Sequence, residues 1–333
     1  MGDADVETPG VGRRFAMRFA LMSEPQQGLS YEEILALART AETAGFETYF
    51  RSDHYGSFPP PDEPTTDAWA TLAGLARETS RIGLGTLVSP VTFRVPGSLA
   101  KVVATVDEMS GGRVELGMGA GWNEEEHAQL GIPFPDMDER YSRFEEAVAI
   151  IHGLWTEPDG WSHAGRHWQV RDARFHPRPD RNGRRHPPLI LGGSGGPRLT
   201  RLAARYADEL NVSSASPERA REAFGRLHAA CADAGRDPAE VTRSAMTGVL
   251  LAESESDLRD RTRILLQDVF GSADEDPQAW LAERRGRWIM GTPDQARERV
   301  AALADAGTQR IMLQDFLPRD LEMVRLMGRV FGS

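Results

Sequence analysis

Short apolar runs alternate with longer runs of helical spacing along almost the whole chain, and this alternation limits the fold more than any single motif. Strand-like runs rich in Val, Ile, Leu and Gly occupy Phe15–Met22, Phe46–Ser52, Ile82–Ser89, Val114–Met118, Leu189–Leu191, Glu209–Val212, Ala245–Leu251 and Arg310–Leu313. Helical spacing fills Tyr31–Ala44, Trp69–Thr79, Leu99–Met109, Arg140–Trp155, Pro197–Tyr206, Pro217–Ala234, Ser256–Phe270 and Leu321–Phe331. A further helix opens at Thr292-Pro293, a capping side chain followed by proline in the first turn, and ends at Gly307. Strands that alternate with helices pair in parallel through right-handed crossovers. Eight such units predict an α/β fold, a closed (β/α)8 TIM barrel whose strands are covered on both faces.

Two stretches interrupt the alternation. Glu157–Pro187, after the fourth helix, carries Pro, Gly and aromatics and predicts an inserted hairpin or long loop. Gly271–Arg287, after the seventh, is polar and acidic. Residues 1–14 are polar and aperiodic and are expected to form a disordered tail, leaving 15–333 as a single domain.

A net charge of −11 argues against nucleic acid and anionic membrane as partners, because both are held by basic surface. It leaves room for a phosphate-bearing cofactor, whose site is built from local amides. Cys231 is the single cysteine, so no disulfide framework exists and a cytoplasmic setting is expected. It sits among alanines in a helical run, as a buried structural thiol would. No apolar run approaches the ~18–20 residues of a membrane span. The first residues lack the apolar stretch of a secretory signal.

In a barrel of this kind chemistry gathers at the C-terminal ends of the strands. Glu24 and Gln26 follow the first strand, and Ser52, Asp53, His54 and Tyr55 the second. Phe93 and Arg94 follow the third, and Gly119, Gly121, Trp122 and Asn123 the fourth. The fifth runs into Gly192-Gly193-Ser194-Gly195-Gly196 and then a helix. Glycines let backbone amides approach an anion, and a helix N-terminus adds positive potential, so a phosphate suits this loop; an ordinary turn would read the same. The loop is neither a P-loop nor a dinucleotide fingerprint. His54 is the best acid/base candidate, since imidazole ordinarily titrates at ~6.5; a packed histidine is the alternative. Asp53 beside it would orient the imidazole or cap a turn. The Glu124–Glu126 run reads as solvated surface. His163, His167, His176 and His186 fall in the first insertion without metal-ligand spacing, so no metal is expected.

Taken together, Ser52-Asp53-His54-Tyr55, Ile82–Thr86 running to Thr92-Phe93-Arg94, Gly112–Trp122 and Leu191–Gly195 resemble the luciferase-like superfamily, especially its coenzyme F420-dependent oxidoreductases. Gly291-Thr292-Pro293 and Ala306-Gly307 fit the same pattern, and the similarity covers roughly Arg18 to Phe331. The resemblance implies a deazaflavin ring over the strand ends, backed by a bulge with a non-prolyl cis peptide at Leu87-Val88. It places His54, with Asp53, near the hydride-transferring carbon. It implies cofactor contacts from Ser52, Leu87, Val88, Gly119, Gly121, Asn123, Gly192, Gly193, Ser194 and Gly195. Glu24, Gln26, Tyr55, Phe93 and Trp122 would shape the substrate pocket, and a homodimer is implied.

One departure matters. The family's sugar-phosphate dehydrogenases carry a glutamate where Trp122 stands here. The expected substrate is therefore a flatter, more apolar alcohol, ketone, imine or enone. Two rivals keep the barrel: an FMNH2-dependent monooxygenase, and a non-catalytic flavin-binding protein. A Schiff-base lyase is disfavoured, because Lys101 lies in a helix and not at a strand end.

Overall fold

The structure, a computed structural model, describes residues 17–58, 63–180 and 182–332. The predicted tail and the first residues of the predicted first strand lie outside them. The chain begins β1 (Arg18–Ser23), α1 (Tyr31–Thr43), β2 (Thr48–Arg51), α2 (Ala68–Glu78), β3 (Gly83–Pro90), α3 (Pro96–Ser110) and β4 (Val114–Gly119). It continues α4 (Glu124–Gln129), α5 (Met137–Thr156), β5 (Trp161–Ala164), β6 (Gln169–Ala173), β7 (Leu189–Gly193), α6 (Pro197–Tyr206), β8 (Glu209–Val212) and α7 (Pro217–Ala234). It ends β9 (Thr242–Leu251), α8 (Glu255–Asp268), α9 (Pro277–Arg284), β10 (Ile289–Gly291), α10 (Pro293–Asp305), β11 (Arg310–Asp315) and α11 (Leu321–Phe331).

Eight parallel strands close in the order β1, β2, β3, β4, β7, β8, β9, β11, with β11 hydrogen-bonded back to β1. This is the (β/α)8 barrel expected from the alternation. Local chemistry sets the helix ends. Ser30 and Glu33 form a capping box at α1, Asp67 accepts from the Ala70 amide at α2, and Gly235 takes a left-handed turn after α7. The first insertion forms the antiparallel β5–β6 hairpin. The second holds α9, capped by Asp276 and anchored by the buried Trp280, which meets Trp288 at 5.2 Å. The three residues of β10 extend the far end of β9.

Strand side chains alternate between faces, so every second residue points into the barrel. The sequences Thr48-x-Phe50-x-Ser52, Glu209-x-Asn211 and Arg310-x-Met312-x-Gln314 therefore stack in layers. The middle layer is apolar: Ala20, Phe50, Leu87, Ile190 and Met312. The layer beneath is ionic. The Arg310 guanidinium donates to Glu115 at 2.7 and 3.0 Å, to Glu209 at 3.0 Å and to Thr48 at 2.8 Å. Burial pulls the Glu115 carboxyl up, but Arg310 outweighs it and holds it below the usual carboxylate range. Glu209 goes the other way: burial, with the Glu115 charge beside it, raises it despite Arg310.

Asp315 ends β11 on the outward side, fully buried. Its Oδ1 accepts from the Leu317 amide at 2.8 Å, and Oδ2 has no partner among the described residues. Burial pushes its carboxyl up to about 7. A raised acid favours the neutral form in the folded chain. Its stabilising contribution is thus complete below ~4, the ordinary aspartate value, and is lost as pH rises through the folded value. Asp315→Asn keeps an acceptor for Leu317 and removes the charge. It is expected to stabilise the protein above pH 7 and to lose that advantage toward pH 4, as measured by denaturation across that range.

Candidate active site

The top of the barrel opens into a cavity of about 480 Å³, within the size range of small-molecule and cofactor sites. Its floor is made at β3. The β3–β4 register slips between Thr86 and Ser89, and the Leu87–Val88 peptide is cis. The irregularity turns Val88 into the cavity between two glycines. A Cβ on Gly119 or on Gly192 would come within 2.6 Å of a Val88 methyl. Both positions must stay without a side chain for Val88 to lie there.

His54 leaves the end of β2 and lines the cavity. Its Nδ1 meets both carboxylate oxygens of Glu126, at 2.9 and 3.1 Å. Glu126 also accepts from the backbone amides of Tyr55 at 2.9 Å and Gly56 at 3.2 Å. Burial works to raise the Glu126 carboxyl, but His54 and those amides outweigh it and hold it below the usual carboxylate range. Glu126 therefore presents an anion to the imidazole, which leaves Nε2 as the nitrogen able to exchange a proton with a ligand. The sequence reading placed this glutamate on the surface. It is 2 % exposed, because α4 folds the acidic run back over the strand ends and turns its third carboxylate inward. A glutamate in the first turn of a helix that follows a barrel strand was the signal available.

Glu24 lines the same cavity and is buried. It accepts from the Gln314 carboxamide at 2.5 Å and the Gln26 carboxamide at 2.7 Å, and Ser52 Oγ donates to Gln26 at 2.5 Å. Gln26 supports this chain from behind the wall. Asp53 is also set back. It takes Ser89 Oγ at 2.6 Å and the Arg94 guanidinium at 2.6 Å, and so fixes the loop that carries His54. Tyr55 and Phe93 stack on each other at 4.4 Å within that same cluster, outside the cavity wall.

Trp122 and Phe58 close over His54 with ring centroids at 5.6 and 4.7 Å. Gly121, Met137, Tyr141, Met246 and Phe316 complete a largely apolar wall. Among the described residues that wall contains no lysine or arginine.

Gly192 and Gly193 line the cavity, while Ser194 and Gly195 continue the turn outside it. The α6 N-terminus that follows has no side-chain cap, so the amides that come after Pro197, itself without an N–H, remain available to an anion. These free amides, the Val88 floor and the adjoining cavity fit a phosphate-bearing flavin-type cofactor. Asn123 caps α4 by accepting from the Glu125 amide at 3.2 Å and is not part of the wall. Among the described residues no cluster of three or more His, Cys, Asp and Glu side chains could hold a metal, and no helix is long and apolar enough to cross a membrane.

Comparison with known proteins gives the geometry a context. The chain is 30% identical over 328 residues to an F420-dependent glucose-6-phosphate dehydrogenase of Microbacterium testaceum, covering 94% of this chain and 95% of that one. It is 28% identical over 326 residues to an FMNH2-dependent dimethylsulfone monooxygenase of Pseudomonas putida, covering 88% and 85%. Its fold matches an F420-dependent secondary alcohol dehydrogenase solved with an F420-acetone adduct, with a TM-score of 0.77 at 20% identity over 94% of this chain and 98% of that one. The family model for luciferase-like monooxygenases matches residues 15–310, and the chain belongs to that family.

Proposed function

We propose that the protein is an F420-dependent oxidoreductase that moves a hydride between the deazaflavin and a small organic substrate. The observation that carries this reading is the His54–Glu126 pair facing a glycine-flanked apolar floor inside one cavity. The similarity to F420-dependent relatives over nearly the full chain supports the deazaflavin over FMN. Bound here, F420 would supply a two-electron hydride donor or acceptor at one ring carbon. Val88, Leu87, Gly119 and Gly192 would back the ring, and the uncapped amides of α6 with Gly193 and Ser194 would hold its phosphate. His54 would exchange the substrate proton through Nε2, while Glu126 fixes the ring plane and tautomer. Asp53 acts through Arg94 and Ser89 as a positioning residue.

The wall also supports the substrate class. A sugar phosphate needs cationic donors for its dianion, and this wall offers none. A homodimer and a cytoplasmic setting belong to the same reading; light scattering on the purified protein tests the first.

Anaerobic fluorescence titration with F420 and with FMN, side by side, tests the cofactor. Tight F420 and weak FMN binding is the expected result. The reverse makes the protein an FMNH2-dependent monooxygenase, and binding of neither removes the catalytic reading. With the cofactor fixed, hydrophobic carbonyls are expected to turn over faster than glucose 6-phosphate; faster sugar turnover overturns the substrate class.

A further inference from the structure

Asp53 pairs directly with Arg94, and Glu115 and Glu209 with Arg310, while the buried Asp315 has no ion pair among the described residues and lies on the outward side of β11. Glu24 is different. It is 5 % exposed, points into the cavity, and makes no ion pair among the described residues. Its direct partners are two neutral carboxamides, so no cation touches it, and the buried Arg51 acts on it only through space. The other carboxylate in the wall, Glu126, is already spent on His54 and two amides. In the same cavity wall Phe58 and Trp122 meet edge to face at 4.9 Å, forming a nearly right-angled aromatic corner. Tyr141 and Phe316 supply further ring surface.

A buried carboxylate with no cation in contact, sharing one cavity wall with aromatic rings, is the recognition chemistry of an organic cation. We infer that the substrate is an amine and its oxidised partner an iminium ion, bound between Glu24 and the Phe58–Trp122 corner. This rests on the hydride-transfer reading above and narrows its substrate. In the oxidising direction His54 Nε2 takes the ammonium proton. The Cα–H bond then breaks with both its electrons, which pass as hydride to the oxidised deazaflavin, and the nitrogen lone pair forms the C=N⁺ bond. In reverse, hydride from the reduced deazaflavin adds to the iminium carbon. The π pair returns to nitrogen, and His54 supplies the proton.

Binding of benzyltrimethylammonium and of its neutral carbon isostere, neopentylbenzene, to the cofactor-free protein separates this proposal from the cofactor assignment. With tryptophan fluorescence or calorimetry as readout, the cation is expected to bind about tenfold more tightly, a preference that cation–π contact and the Glu24 carboxylate account for. Glu24→Gln removes the charge at nearly constant size, keeps one of the two accepted hydrogen bonds, and should abolish the preference. Equal binding of the two ligands to the unsubstituted protein overturns the proposal whether or not any variant folds. In the F420-loaded protein, 1-pyrroline should be reduced faster than cyclopentanone. A faster ketone, with F420 bound, overturns the cationic substrate and leaves hydride transfer standing. Preference for the cation without F420 binding does the opposite.

Discussion

Replacing His54 by alanine is expected to lower turnover ~100-fold or more while leaving cofactor affinity within about tenfold, the signature of a lost proton-transfer group. The geometry explains the split. His54 reaches the cavity beside the aromatic corner, whereas the proposed phosphate and ring contacts come from β3, β4, β7 and the α6 N-terminus. A ~100-fold loss corresponds to about 2.7 kcal/mol of transition-state stabilisation, a usual magnitude for one acid/base side chain. Glu126→Ala is expected to move turnover in the same direction by less, since the imidazole survives but its tautomer and ring plane are no longer fixed. Single-turnover absorbance of the deazaflavin separates chemistry from binding. Unchanged single-turnover rates in His54→Ala would remove His54 from the mechanism.

Arg310→Met is expected to destabilise the fold by ~3–5 kcal/mol, the usual cost of taking one partner from a buried ionic group. Glu209, buried, and Glu115, nearly so, would remain close together without a cation in contact. The loss should shrink on acidification, because protonating the two stranded carboxyls removes their burial cost. If unfolding is irreversible, the rate of thermal inactivation replaces the equilibrium measurement. A wild-type stability in Arg310→Met would show that this ionic layer contributes nothing.

Three helices were legible to the residue, although side-chain caps at α4, α5 and α9 did not by themselves reveal where those begin. Pro197–Tyr206, Pro217–Ala234 and Leu321–Phe331 occupy the residues expected of them, because Pro, Ser216, Gly235 and Asp320 punctuate their ends. The strand ends were less sharp. Ile82–Ser89 shifts to Gly83–Pro90, and Ala245–Leu251 begins three residues earlier at Thr242, since apolar pattern does not mark where pairing stops. α9 was hidden in an acidic stretch, because only the adjacent Trp280 and Leu281 anchor it and two neighbours carry no helical period. Glu126 was hidden for a related reason. Three consecutive glutamates look alike in sequence, and only the folded helix distinguishes the one that faces His54. The second-strand Asp-His pair was visible, but which of the two faces the cavity depends on the β2 pleat and on Arg94, 41 positions from Asp53.

The two ends of the barrel do unrelated work with the same eight strands. On β11, Arg310 belongs to the ionic layer and Gln314, four residues on, to the cavity. β4 and β8 divide the same way, Glu115 from Gly119 and Glu209 from Asn211. A lineage can therefore exchange wall residues such as Trp122, Phe58 or Met137 and try new chemistry without touching the charges that close the opposite pole. Libraries confined to the mouth should keep folding while their substrate preferences diverge.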